Sequence, residues 1–358
     1  MAPPPPDPTP ALLALLATTL TALAHSTALL APTATLPTPA TPLAAPPNPL
    51  HVLRDAAALT KAHTTKISLL AITAPFTPSA LRKVVAELAA TCLPAMLSAV
   101  HICAQQHTTW GELMQSEVQA RVRRVLRELQ LLLEEVRALA SGQAHGARGG
   151  RDSLSSAGVV WEACDALVEL AALGVAGLAV QKAEEWRATL RDAIEELREW
   201  AEGEDMETEG HDELLDEGDE GVEGDREGLL EEIFNAANSL PKERVELKVL
   251  VGVAEGKLKR VVLLYNALIK RRLRTFAGGE GSVERLDKTM GCLRRIPHLV
   301  DELASCFYDL DEAQAEAMLE RCTSEAKRAA LVMELGWSAE KREDEFTAWS
   351  HKWLDAIG

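Results

Sequence analysis

The chain of 358 residues has no CxxC pair; its six cysteines stand far apart, at 92, 103, 164, 292, 306 and 322. That spacing speaks against a disulfide framework and for a reduced, intracellular chain. No stretch alternates apolar and polar residues with period two, and β-branched residues do not cluster beside turn dipeptides, so no sheet is expected. GxSxG, GxxxxGK[ST], a GxGxxG following a strand, and HExxH are all missing. The chain is therefore expected not to be an enzyme and to carry no cofactor. Aromatic residues are scarce, at 4% of the sequence, and half of them are the seven tryptophans.

Charge is missing from one region and concentrated in another. Between Asp7 and Arg54 there is no Lys, Arg, Asp or Glu, whereas Glu202–Glu232 holds 16 acids and one base, Arg226. The net charge of −17 therefore comes almost wholly from one segment, and both flanking halves are near neutral. Six glycines are interspersed there. Like charges on a Gly-rich run repel and bury too little apolar surface to fold. The reading is an N-terminal helical body over 1–202, a disordered acidic linker over 203–227, and a C-terminal body over 228–358.

In the uncharged region, residues 11–31 form a Leu/Ala/Thr stretch long enough to span a bilayer. Thr18, Thr19, Thr21, His25, Ser26 and Thr27 interrupt it, and no basic residue flanks it. A bundle helix is favoured over a membrane or targeting segment, and no membrane is expected as a partner. Seven prolines between Pro32 and Pro49 then read as a stiff connector.

Helical periodicity dominates the rest. Helices are expected near 8–31, 49–73, 78–106, 109–140, 155–173, 177–202, 227–238, 241–276, 282–309, 311–335 and 338–356. Asp7-Pro8, Asn48-Pro49 and Thr77-Pro78 each pair a capping residue with a proline preset for the first turn. Pro94 and Pro297 fall inside expected helices and should kink them. In helix 109–140, Leu113, Val118, Val122, Leu126, Leu129, Leu133, Val136 and Leu139 recur every three to five residues, with charged residues between. Long helices with short turns pack side by side, so the fold class is all-α, as two antiparallel helical bundles.

Few residues offer chemistry. Cys92, His101, Cys103 and His107 fall on one expected helix, and Cys103 and His107, four apart, would share a face that a metal could use. The plainer reading is a buried thiol and a helix-end imidazole, and no metal is expected. Lys270, Arg271, Arg272 and Arg274 form a basic run, either a nuclear-localisation patch or the last-turn cations a long helix prefers. Only Tyr265 and Phe276 are aromatic nearby, so direct nucleic-acid binding is not expected. Trp349 and Trp353, with Phe346, make an aromatic face on the final helix, a candidate partner-binding surface or an intramolecular plug.

Three segments resemble a known family. Val160-Trp161-Glu162-Ala163-Cys164 opens a helix whose successor runs into the acidic segment. Ile296-Pro297-His298-Leu299-Val300-Asp301-Glu302-Leu303-Ala304 is followed by Tyr308, and Ala62-His63-Thr64-Thr65-Lys66-Ile67 is a weaker echo. Together they resemble the cyclin-D-interacting (GCIP, cyclin-D-binding protein) family. That resemblance implies a talin/vinculin-like all-helical regulator, cytoplasmic and nuclear, that binds D-type cyclins or helix–loop–helix factors and restrains the cell cycle. The expected function is thus a non-enzymatic adaptor for a protein partner. An acidic chaperone or decoy for a basic client, working through Glu202–Glu232, and a cytoskeleton-type scaffold are the alternatives.

Overall fold

The computed structural model describes residues 7–32, 45–142, 151–203, 240–241, 243–279, 281–337 and 343–358, with backbone alone for 151–155. The Pro-rich connector and acidic linker fall largely outside these, as does the helix expected over 227–238. Among the described residues there are helices and no strand. The all-α expectation is met.

The helices are α1 (Thr9–Leu29), α2 (Pro49–Ile72), α3 (Pro78–Glu87), α4 (Leu93–Gln105), α5 (His107–Ala140), α6 (Arg151–Glu202), α7 (Val245–Leu268), α8 (Ser282–Tyr308), α9 (Glu312–Val332) and α10 (Glu345–Ile357). They fall into two compact units. The first holds Met1–Leu178 and Gly279–Glu284; the second holds Ala179–Gly278 and Arg285–Gly358. The division lies within α6, ahead of the acidic stretch. The two helices expected over 155–173 and 177–202 are α6 with a break at Gly174, where φ is 60° and ψ −170°. Only glycine takes that conformation without a Cβ penalty.

In the first unit α1 packs on α3 and α5, α2 on α3 and α4, and α4 on α5. Leu12, Leu16, Leu20 and Leu23 of α1 recur on one face and are buried. The hydroxyls of Thr18 and Thr21 donate to carbonyls of the preceding turn, Leu15 O at 2.9 Å and Ala17 O at 3.0 Å. Those bonds let threonines sit in an apolar helix without unpaired donors. Among the described residues, three helical stretches are long and apolar enough to cross a membrane: Thr9–Leu29, Pro78–Gln105 and Ser156–Glu202. The apolar stripe of α5 is buried as read at Val118, Val122, Leu126, Leu129, Leu133 and Val136, while Leu113 and Leu139 are half-buried. From α6, Trp161 Nε1 donates to Thr64 Oγ1 of α2 (3.1 Å), and Arg121 of α5 donates to Ala166 O (2.6 Å). Two of the family-like segments therefore touch.

The caps divide. Asp7 accepts from Thr9 N at 2.9 Å, and Asn48 accepts from Leu50 N at 2.9 Å and His51 N at 3.4 Å. Thr77 makes no cap bond; its hydroxyl donates to Pro75 O instead.

The prolines are accommodated in different ways. Pro94 enters α4 just after a π-helical turn, Leu88–Cys92, in which Leu93 N donates to Leu88 O. The helical ladder has changed to i→i−5 before the missing amide is reached. Pro297 lies inside α8 and leaves the carbonyl of Leu293 without its helical donor. Tyr265, fully buried on α7, supplies the replacement: its hydroxyl donates to Leu293 O at 2.6 Å. The proline of the second family-like segment and the tyrosine of the neighbouring helix form one structural device in the second unit.

Candidate interaction surfaces

The basic run lies in a second π-helical turn, Ile269–Leu273, that ends α7. There Arg274 N bonds to Ile269 O, an i→i−5 contact. The inserted residue shifts side-chain register, and Arg272 points inward with 2% of its surface exposed. Its guanidinium clasps Asp344 with both nitrogens, at 2.7 and 2.9 Å, and donates to Met333 O and Glu334 O at 2.8 and 3.1 Å. It also stacks 4.3 Å from the ring centre of Phe346. Asp344 in turn caps α10 through Phe346 N and Thr347 N. Hydrogen bonding from Arg272 holds the Asp344 carboxyl well below the usual carboxylate range.

The other cations of the run are also accounted for. Arg271 pairs with Glu345, Arg274 pairs with Glu184 at 3.0 Å, and Lys270 is exposed. Trp337 lies past the end of α9 in the connection to α10; its Nε1 donates to Arg272 O at 2.7 Å, and its ring meets Phe276 edge-on at 5.0 Å. Arg285 stacks on the same indole at 5.2 Å and donates to Leu335 O and Gly336 O.

The aromatic face of α10 turns into the second unit. Phe346 is fully buried, Trp353 is nearly so and donates through Nε1 to Arg260 O at 2.8 Å, and Trp349 is half-buried between them. This is the arrangement of an intramolecular plug.

Cys103 and His107 do not share a helix face. α4 ends at Gln105, Gln106 has non-helical angles, and His107 begins α5, exposed. Cys103 is fully buried, and desolvation pushes its thiol up to about 12. A neutral, enclosed thiol is a poor metal ligand. Cys92 is buried as well, with its sulfur 3.6 Å from Thr91 Oγ1. No group of three His, Cys, Asp or Glu side chains is placed to hold a metal among the described residues.

Shallow grooves remain, and the sequence reading had not singled them out. In the first unit a groove of about 450 Å³ between α5 and α6 is floored by Leu131, Ala138 and Val159 and rimmed by Glu128, Glu134 and Glu135. Leu131 is 53% exposed. Ser156 donates to Glu135 Oε1, and Glu135 Oε2 is buried with no hydrogen-bond partner among the described residues. In the second unit a groove of about 430 Å³ runs between α7 and α9 over Leu250, Val253 and Leu319. The only advance sign of either was an apolar residue off the core stripe, such as Leu131.

Comparison with known proteins bears on the first unit most directly. The chain is similar to an uncharacterised protein of Schizosaccharomyces pombe, 25% identical over 308 residues, which cover 86% of this chain and 84% of that one. Residues 52–203 match the family profile described as Grap2 and cyclin-D-interacting, N-terminal. That span runs from α2 through the last turn of α6, and takes in both the Trp161–Thr64 contact and the α5/α6 groove. The resemblance read from Val160–Cys164 and Ala62–Ile67 is thereby borne out over residues 52–203, which are similar to the N-terminal part of the Grap2 and cyclin-D-interacting family.

Proposed function

We propose that this protein is a non-enzymatic helical adaptor that binds a cyclin-like or helix–loop–helix regulatory protein in cell-cycle control, in cytoplasm and nucleus. The match of residues 52–203 to a family described by its interaction with cyclin D is the observation that carries this reading. The α5/α6 groove inside that span is where we place the partner. An exposed leucine in a shallow apolar floor suits the anchor residues of an amphipathic helix. Its carboxylate rim favours a helix with a cationic edge. The Phe346/Trp349/Trp353 face lends no support to a second docking surface, since two of its rings are consumed in internal packing. Nor do Lys270–Arg274 support an import patch, because Arg272 is buried and Arg271 and Arg274 are paired.

The test is capture from native extract by the full chain and by a Leu131→Glu variant. The full chain should recover a cyclin, a cyclin-dependent kinase or a helix–loop–helix factor. The variant, altered at an exposed position, should melt as the parent does and lose capture at least tenfold. Recovery of none of these classes under salt that preserves other complexes would remove the cell-cycle reading.

A further inference from the structure

The outer face of α7 carries exposed apolar residues. Leu247, Val251, Ala254, Leu258, Val261 and Leu264 turn inward and are buried. On the opposite side Val245, Val249 and Val253 follow one another at four-residue intervals, exposed by 64%, 64% and 46%, and Leu263 continues the line at 54%. Solvent-facing positions of a soluble helix normally carry charge; these carry valine.

Two glycines lie on the same face. A Cβ added at Gly252 would meet nothing within 4 Å, and one at Gly256 would meet only the flexible end of Arg260 at 3.6 Å. The unit's own packing therefore does not demand glycine at either site. Each weakens the helix relative to alanine. What the pair offers is a notch into which another helix backbone can settle closely.

The face matches itself under a twofold rotation. Turning a second α7 antiparallel about the level of Ala254 brings Gly252 against Gly256 of the other copy, and Val245 against Leu263. Val249 then lies over the methylene stem of Lys259, whose ammonium is already engaged by Glu255 of its own helix at 2.6 Å. Charge agrees as well. Glu246 and Arg260 lie roughly 100° and 60° around the helix from Val245, on the same edge. Both are exposed, and among the described residues no ion pair holds either within the unit. The rotation places each glutamate beside the arginine of the other copy, twice over. Isologous dimers are built from this kind of self-complementarity.

We propose that this face binds a second copy of the chain, through an antiparallel α7–α7 contact centred on Gly252 and Gly256. The contact is about 27 Å long from Val245 to Leu263. It is extended on one edge by the α7/α9 groove, where Val253 already contributes to the lining. A contact this narrow is smaller than a standard interface of about 800 Å² per partner, so the dimer is a weak one whose population depends on concentration.

The experiment is sedimentation velocity on the full chain across about 1–100 µM, the range that brackets a micromolar constant. It is combined with single cysteines at Val253 and Val245, oxidised beside the parent chain as control for Cys306. The expected result is a concentration-dependent dimer, with Val253→Cys, next to the twofold, cross-linking readily and Val245→Cys not at all. Val249→Lys should weaken the dimer roughly 100-fold by setting a second ammonium against Lys259 of the other copy. Glu246→Arg should weaken it several-fold, and adding Arg260→Glu should restore it. A single monomeric mass throughout would overturn the proposal, whether Val253→Cys then alkylates fast, showing a bare face, or slowly, showing that another segment covers it. So would efficient cross-linking through Val245→Cys, which marks a parallel pair, or a dimer indifferent to Val249→Lys.

Discussion

Tyr265 and Pro297 show how one side chain can complete the backbone of another helix. Replacing Tyr265 with Phe leaves the buried Leu293 carbonyl without a donor, and should cost about 1–3 kcal/mol of unfolding free energy. Chemical denaturation of the full chain reads this directly. In a Pro297→Ala background the restored amide supplies the missing bond, so the same Tyr265→Phe change should cost measurably less. The difference between the two costs is the coupling energy of the device. Arg272 and Asp344 form a second residue-scale unit. The folded-state carboxyl of Asp344 titrates below its ordinary value near 3.8, so its contribution to stability is fully present above about pH 4 and falls away as the pH drops through the folded-state value. Asp344→Asn should therefore lower the melting temperature at pH 7, by about 1–2 kcal/mol in stability, because Arg272 is left buried and unmatched while the exposed side of Asp344 is already screened by solvent. It should also flatten the decline on acidification. A melting series from pH 7 to pH 3 in parent and variant checks both outcomes.

At the scale of the element, the caps give a contrast between two sequence signals of similar appearance. Asn48-Pro49 and Thr77-Pro78 look alike on paper, yet Asn48 accepts two amide hydrogens and Thr77 accepts none. Asn48→Ala should cost about 1 kcal/mol. Thr77→Ala should cost no more than a few tenths of that amount, with both changes read by thermal or denaturant melts. The π turns carry the larger lesson. Periodicity at 3.6 residues places α7 and the last residues of the basic run correctly along the chain. One inserted residue at Ile269–Leu273 nevertheless changes which side chain faces inward. Arg272 was legible as a cation at a helix end; its burial against Met333, Glu334 and Asp344 was not. A π turn leaves no composition signature, and its cost is met by contacts with residues 60–70 positions away. The break after Gln105 had the same effect on Cys103 and His107, since a spacing of four implies a shared face only while the helix continues.

For the whole molecule, the acidic segment marks a change of composition, whereas the second compact unit begins at Ala179. Within it the C-terminal part of α6 supplies Arg187 to Asn266 at 2.7 Å, Glu184 to Arg274, and Trp200 to an edge-on contact with Tyr308 at 5.3 Å. A fragment starting at 228 lacks all three partners. It should melt below a fragment starting at 179, and should expose Tyr308 and the α7 flank to solvent. Circular dichroism melts of the two fragments, with tryptophan fluorescence for the longer one, make the comparison.

By itself the sequence determined that this chain is helical, roughly where each helix runs, that Val118, Val122 and their like form the interior, and which family residues 52–203 resemble. Those properties follow from local geometry: a 3.6-residue repeat, a proline or asparagine at a helix start, and the burial of an apolar stripe. Only the tertiary structure decided that Arg272 is a buried clasp, that Trp353 is buried and Leu131 exposed, and that α6 runs through both compact units. Each of those outcomes depends on which carbonyl, carboxylate or ring arrives from a distant part of the chain to satisfy a buried group, and helical periodicity carries no record of that partner.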